Sequence, residues 1–393
     1  MGRIIVSMLS LSASLALLPG CSPAPDPDGG AHECPPPRED ERGEVSDTAL
    51  PSLSHILEPE SLQISEDGTR LAAMHGDQIL IWDEVEGGEP SRTVGDASDP
   101  LGSGPMAATP DLSRFAVRGD GAPETAGSGA HGDASRDAHG TVDVISLDGG
   151  SEVVETLALE PWHDDEQVSR LAISPDGERL AVRGTSGLIA IHSSTDLGLE
   201  MTLPACAESP GDIAFSPDSS KLFAAGRADG AEVWDLDTQE TALELASGQH
   251  GYSHGAWSED EDLLAVSASS LGSGAGSSWN VTLVDTAEWE VIRTYPELSP
   301  TSTSFLPGGE ELLVATGANW VQRWPIGGTP QELSTGVTTR GAHVSPDGGT
   351  AYVANRETLI GFDLEAAEVR VTYDIPTFDC ESVEHPGMFQ ECQ

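Results

Sequence analysis

The chain has 393 residues, 66 of them Asp or Glu and 18 Lys or Arg, for a net charge of −48; its only lysine is Lys221. Nucleic acid and anionic lipid headgroups are poor partners for such a surface, because binding them requires phosphate neutralisation by Lys and Arg. The acidity favours a cationic protein partner or divalent ions, and serves plain solubility equally well.

The first element is a leader. Arg3 supplies a short basic region, residues 4–18 an apolar stretch, and LLPGC at 17–21 a small-residue cleavage site ending in cysteine. This resembles a bacterial lipoprotein signal, which implies cleavage before Cys21 and acylation of that cysteine; an ordinary secretory signal that contains a cysteine is the alternative. The stretch is too short for a spanning helix, so the expectation is an envelope protein held by lipid, each buried CH₂ contributing about 0.8 kcal/mol. Ser22 after the cysteine favours the outer membrane by analogy with sorting rules. Residues 22–48 combine Pro, Gly and acidic side chains with almost no large apolar group, so they read as a flexible tether.

A repeat begins next. ISEDG at 64–68, ATPDL at 108–112, ISPDG at 173–177, FSPDS at 215–219, WSEDE at 257–261, FLPGG at 305–309 and VSPDG at 344–348 are seven copies of one phrase. The Ser/Thr position, Leu306 in the sixth copy, recurs at 65, 109, 174, 216, 258, 306 and 345, with spacings of 44, 65, 42, 42, 48 and 39. A period of about 40 to 45 residues is that of propeller blades. In the fourth copy DIAF enters the turn, KLFAAG leaves it, and AEVWDL and ETALEL follow. Alternating apolar residues in these runs predict four strands per unit, with Pro-Asp-Gly as the hairpin turn between the first two. The predicted class is all-β: a seven-bladed propeller of four-stranded antiparallel blades.

The phrases AFSPDSSKLFAAGRADGAEVWDLDTQE (214–240) and ISEDGTRLAAMHGDQILIWD (64–83) resemble blades of WD-repeat β-propellers, and the likeness extends over residues 61–374. Trp82-Asp83 and Trp234-Asp235 hold the family's dipeptide. The equivalent pairs are Ile145-Ser146, His192-Ser193, Val284-Asp285, Trp324-Pro325 and Phe362-Asp363. The family's Gly-His pair has only echoes, in Trp162-His163 and Gln249-His250.

The expected layout is a signal peptide at 1–20, a tether at 21–50, the propeller at 51–374 and a Cys-containing tail at 375–393. Low-complexity segments at 119–140 and 270–280 fall between the second and third strands of blades two and five and read as surface loops. Residues 368–374 are the predicted outer strand of blade seven, with 52–58 packing on the rim nearby. With Cys21 lipidated, Cys34, Cys206, Cys380 and Cys392 form an even set that allows three pairings. Cys380–Cys392 is the shortest loop to close and leaves Cys34 with Cys206; free or partly paired thiols are the alternative.

Catalytic motifs are missing from the sequence: no GxSxG nucleophile elbow between a strand and a helix is found, since GYSHG at 251–255 matches the spacing alone, and HExxH, a Walker loop and a strand-to-helix GxGxxG do not occur. His131 and His139 bracket an acidic stretch, but a solvated loop accounts for them as well as a metal does. No cofactor is therefore expected. The predicted role is a non-enzymatic protein-binding or scaffolding module that uses the loops around its central channel. Its candidate rim residues are Trp162, His163, Asp164 and Asp165 before blade three, with His250, Tyr252 and His254 before blade five. The alternative is a periplasmic propeller enzyme, a metal-dependent lactonase or a quinoprotein-type dehydrogenase, since one architecture hosts many functions.

Overall fold

The computed structural model describes residues 61–376 except 77, 96–104, 120–139, 148–152, 159–166, 205–209, 227–229, 246–249, 271–279, 297–299 and 356. All of them belong to one compact unit, 33–393. The leader, the tether, the run 52–58, the tail from 377 onward and all five cysteines lie outside the described residues.

The described residues form 28 strands in seven four-stranded antiparallel sheets, each built from consecutive strands. The blades span 63–94, 106–158, 168–203, 210–245, 250–296, 302–334 and 341–373. The chain is thus a seven-bladed β-propeller, and the strand order within each unit is the one its periodicity predicts.

One turn, repeated, ends every innermost strand. The hydroxyls of Ser65, Thr109, Ser174, Ser216, Ser258 and Ser345 donate to the Asp two residues on at 2.5–2.7 Å. Each also accepts the amide five residues on at 2.9–3.0 Å. The same carboxylates accept the amide two residues further on, just ahead of the next strand. Hydroxyl, carboxylate and two amides are therefore satisfied in one four-residue loop. Leu306 in blade six keeps only the backbone bonds of the turn, to the Glu311 carbonyl and from the Gly309 amide, and turns its side chain into the core. The fourth residue of the turn is left-handed in all seven blades: Gly68, Gly177, Gly309 and Gly348 lie at φ 70–74°, and Leu112, Ser219 and Glu261 at 52–63°.

The last residues of the third strand have two tasks, which explains the decayed dipeptide. Its first member plugs the space between blades: Trp82, Ile145, His192, Trp234, Val284 and Phe362 are all buried. Half-buried Trp324 instead stacks edge-on to Tyr295, with centroids 4.6 Å apart. The second member caps the following turn. Asp235, Asp285 and Asp363 each accept amides two or three residues ahead at 2.7–3.1 Å, and Ser193 does so at 3.3 Å. Burial pushes the His192 imidazole below its usual pKa range, against the opposing pull of the Leu197 carbonyl and Glu200.

Seven apolar clusters fill the seven spaces between neighbouring blades. The one between blades seven and one closes the ring. There Trp82 packs edge-on to Tyr373, with centroids 5.3 Å apart, beside Leu62, Leu71 and Leu359. Gly88 donates to the Thr372 carbonyl at 3.0 Å and accepts from the Asp374 amide at 2.8 Å, forming a parallel bridge to blade seven. The Tyr373 hydroxyl donates to the Val85 carbonyl at 3.0 Å. A side chain at Gly87, where φ is 87°, would place its Cβ 2.7 Å from the Thr372 oxygen, so only glycine admits this approach. Blade seven thus takes its outer strand, Glu368–Tyr373, from its own repeat, as predicted.

Three tests follow from this packing. Tyr373→Ala should cost about 3 to 5 kcal/mol, because it empties the closing cluster, whereas Val369→Ala on the 45% exposed face of the same strand should cost under about 0.5 kcal/mol. Comparable urea midpoints for the two variants would mean that the ring does not close here. Gly348→Ala should destabilise more than Gly177→Ala, since both sit at positive φ but only the new Cβ at 348 presses on Pro307, at 3.1 Å against 3.9 Å for the nearest atom at 177. Equal melting shifts for the pair would contradict this.

The third test is acid unfolding. The Ser65 hydroxyl, then the Thr69 amide and hydroxyl, hold Asp67 at about 2. Burial pushes Asp218 upward, but the Ser216 and Ser220 bonds outweigh it and hold that group at about 2 as well. Both lie below the unperturbed value of 3.8, so the stability they contribute is complete above about pH 4 and is lost as pH falls through 2. Ser216→Ala should therefore lower the urea midpoint at pH 6, with a gap to the parent chain that narrows between pH 4 and pH 2. A gap that stays constant would show that the hydroxyl–carboxylate bond does not carry it.

Candidate functional site

Each sheet runs from an innermost strand to an outer one, so the seven innermost strands line a central channel. Its cavity of about 700 Å³ is walled by residues from all seven blades. One position recurs in that wall. The residue four before the turn Ser/Thr is Ser61, Pro105, Arg170, Asp212, His254, Ser302 and Gly341 in blades one to seven, and all seven line the cavity. Two more arginines join them: Arg118 at the end of the second strand of blade two, and Arg340 just before the innermost strand of blade seven.

The wall is stitched from blade to blade. Arg183, 1% exposed, reaches from blade three to the Gly211, Asp212 and Ala225 carbonyls of blade four. Gly255 exists because the Phe223 ring of blade four would lie 2.3 Å from any Cβ there. The Ser267 and Thr303 hydroxyls bond at 2.8 Å between blades five and six, and the Ala342 amide donates to Ser302 at 2.9 Å between six and seven. Within the cavity, Asp212 Oδ2 lies 3.7 Å from His254 Nδ1. Among the described residues no group of three or more His, Cys, Asp or Glu is placed to hold a metal.

Strand directions separate the two rims. Turns after first and third strands share one rim, and connections after second and fourth strands share the other. On the first, neighbouring turns interlock: Asp176 N donates to Ser219 Oγ, Asp218 N to Glu261, and Arg70 reaches the Asp111 carbonyl. On the second, blade two breaks off after Arg118 and resumes at Thr141, and blade five breaks off after Ser270 and resumes at Asn280.

Of the predicted rim residues, Trp162, His163, Asp164 and Asp165 lie outside the described residues, as do His131 and His139. His250, Tyr252 and His254 do not precede blade five; they belong to its innermost strand, His250–Trp257. That strand is longer than the sequence suggests because it pairs with Leu264–Ser270 throughout, with a bulge between Tyr252 and His254. His254 faces the channel. Sequence reasoning missed Arg118, Arg170 and Arg340. Counting back four residues from each turn Ser/Thr, or from Leu306, was the signal that would have found Arg170 and its six equivalents; Arg118 and Arg340 lie off that position.

The fold defines the class of protein as a seven-bladed β-propeller. No protein-family model and no curated protein matches the chain. Among solved structures it is similar to hydrazine synthase of Kuenenia stuttgartiensis, at 18% identity over 80% of this chain and 95% of that one, with a TM-score of 0.57. At that identity the likeness is one of fold, and 1547 chains of solved structures match this one, so the likeness transfers no activity.

Proposed function

We propose that this protein is a WD-repeat-like binding module of the bacterial envelope, anchored through lipid on Cys21 and engaging a protein partner with the rim that carries the insertions. The asymmetry between the rims supports this reading. One rim is consumed by interlocked four-residue turns whose polar groups bond to each other. The other bears the ends of the second strands and the starts of the third, which lie far apart in sequence in blade two (Arg118 and Thr141) and close together in blade seven (Ala354 and Leu359), and the open heads of the innermost strands. Surfaces of that kind carry recognition because they vary without disturbing the scaffold. The net charge of −48 favours a partner with a cationic face.

A propeller enzyme built on a central metal fits the wall less well. Such a site needs Asp, Glu, Asn or His from several blades, whereas the recurrent position supplies Asp212 and His254 with Ser, Pro, Arg and Gly elsewhere.

Two measurements test the proposal. Photocrosslinkers at Glu357, in the second-to-third connection of blade seven, and at Glu178, in the turn of blade three, occupy exposed positions on opposite rims. A discrete crosslinked partner is expected from Glu357 alone; capture from Glu178 alone would reverse the assignment. Cys21→Ser should leave the propeller folded and release it from membranes, and a variant that still sediments with them after a high-salt wash would remove the lipid anchor.

A further inference from the structure

We infer that the central channel binds a small organic oxyanion, a molecule bearing carboxylate or phosphate, on Arg118, Arg170 and Arg340. This stands apart from the rim reading and survives its failure. In the whole chain 18 basic residues face 66 acidic ones. In the cavity wall the balance is inverted: three arginines accompany a single carboxylate, Asp212.

The charges are also sorted by side. Blades seven, one, two and three are consecutive around the ring, and they supply all three guanidiniums. Asp212 and His254, 3.7 Å apart, come from blades four and five on the other side. An anionic head is therefore directed to the arginine arc, and the uncharged body of the ligand to the hydroxyl-bearing wall of blade six. There Thr301 lines the cavity with an Oγ1 that is buried and lacks a hydrogen-bond partner among the described residues.

Guanidinium suits this task because its fixed fork meets two oxygens of a carboxylate or phosphate at once. A volume of about 700 Å³ exceeds what an inorganic ion fills and falls within the range of small-molecule sites. The acidic exterior does not forbid the ligand. At physiological ionic strength the screening length is about 8 Å, so surface carboxylates farther off are damped while the arginines in the wall act at contact. The same exterior repels extended polyanions, which restricts the channel to small ones.

Isothermal titration of the full chain in detergent, at pH 7.5 and ionic strength matched with sodium chloride, tests this with citrate, inorganic phosphate and the uncharged triethyl citrate. Saturable binding of citrate or phosphate is expected, with none for the ester; preference between the two anions assigns the head to carboxylate or phosphate. Arg340→Ala and Arg170→Ala should each weaken binding by about tenfold or more. Arg340→Lys should retain part of it, and Arg370→Ala, on the outer strand of blade seven, should change nothing. Arg340 is exposed, so its removal leaves the fold intact, as circular dichroism would verify. No saturable heat with either anion, or unchanged affinity in both channel variants, would overturn the inference.

Discussion

A four-stranded blade has two apolar faces and cannot cover either of them alone, and the rest of this molecule depends on that constraint. The second strand of each blade shows it most directly: Leu71–His75 and Thr350–Ala354 are buried along their whole length. Burial of that kind requires a neighbour on each side, so seven blades in sequence leave two unsatisfied faces unless the first meets the last. The cluster of Trp82, Tyr352 and Tyr373 is where they meet. The backbone bridge at Gly88 then fixes the register of that meeting, because main-chain bonds have fewer ways to form than an apolar contact has.

The turn that follows each innermost strand has a second role beyond reversing the chain. Its Ser hydroxyl and Asp carboxylate satisfy the loop internally, leaving backbone groups such as Asp176 N and the Asp111 carbonyl to bond the neighbouring blade. Blade six shows how far the motif can be diluted. Leu306 and Gly308 replace the hydroxyl and the carboxylate, and the turn persists because Gly309 takes the left-handed conformation and Gly308 N is held by Glu259 of blade five. One rim is thereby committed to structure, and the proposed recognition surface is the other.

The channel inverts the electrostatics of the chain. A surface rich in carboxylates keeps the protein soluble and repels anions at long range, while a wall with three guanidiniums attracts them at contact. The two fields operate over different distances, so an acidic protein with a basic centre is self-consistent.

Much of the fold was legible along the chain because its signals are local. Turn chemistry is written in four adjacent residues, strand faces in alternation, and the blade count in the recurrence of both. Thus the seven turns, the outer strand at 368–373 and the plug positions from Trp82 to Phe362 follow from the sequence alone. The wall of the channel does not. Ser61 and His343 line one cavity although 282 positions separate them, and Arg118 and Arg340 fall outside the recurrent position, so nothing local marks them as facing inward. The length of His250–Trp257 was likewise hidden, since a strand is as long as its partner allows. Only closure of the ring brings seven equivalent positions to one axis, and with them the charges that make the centre unlike the surface.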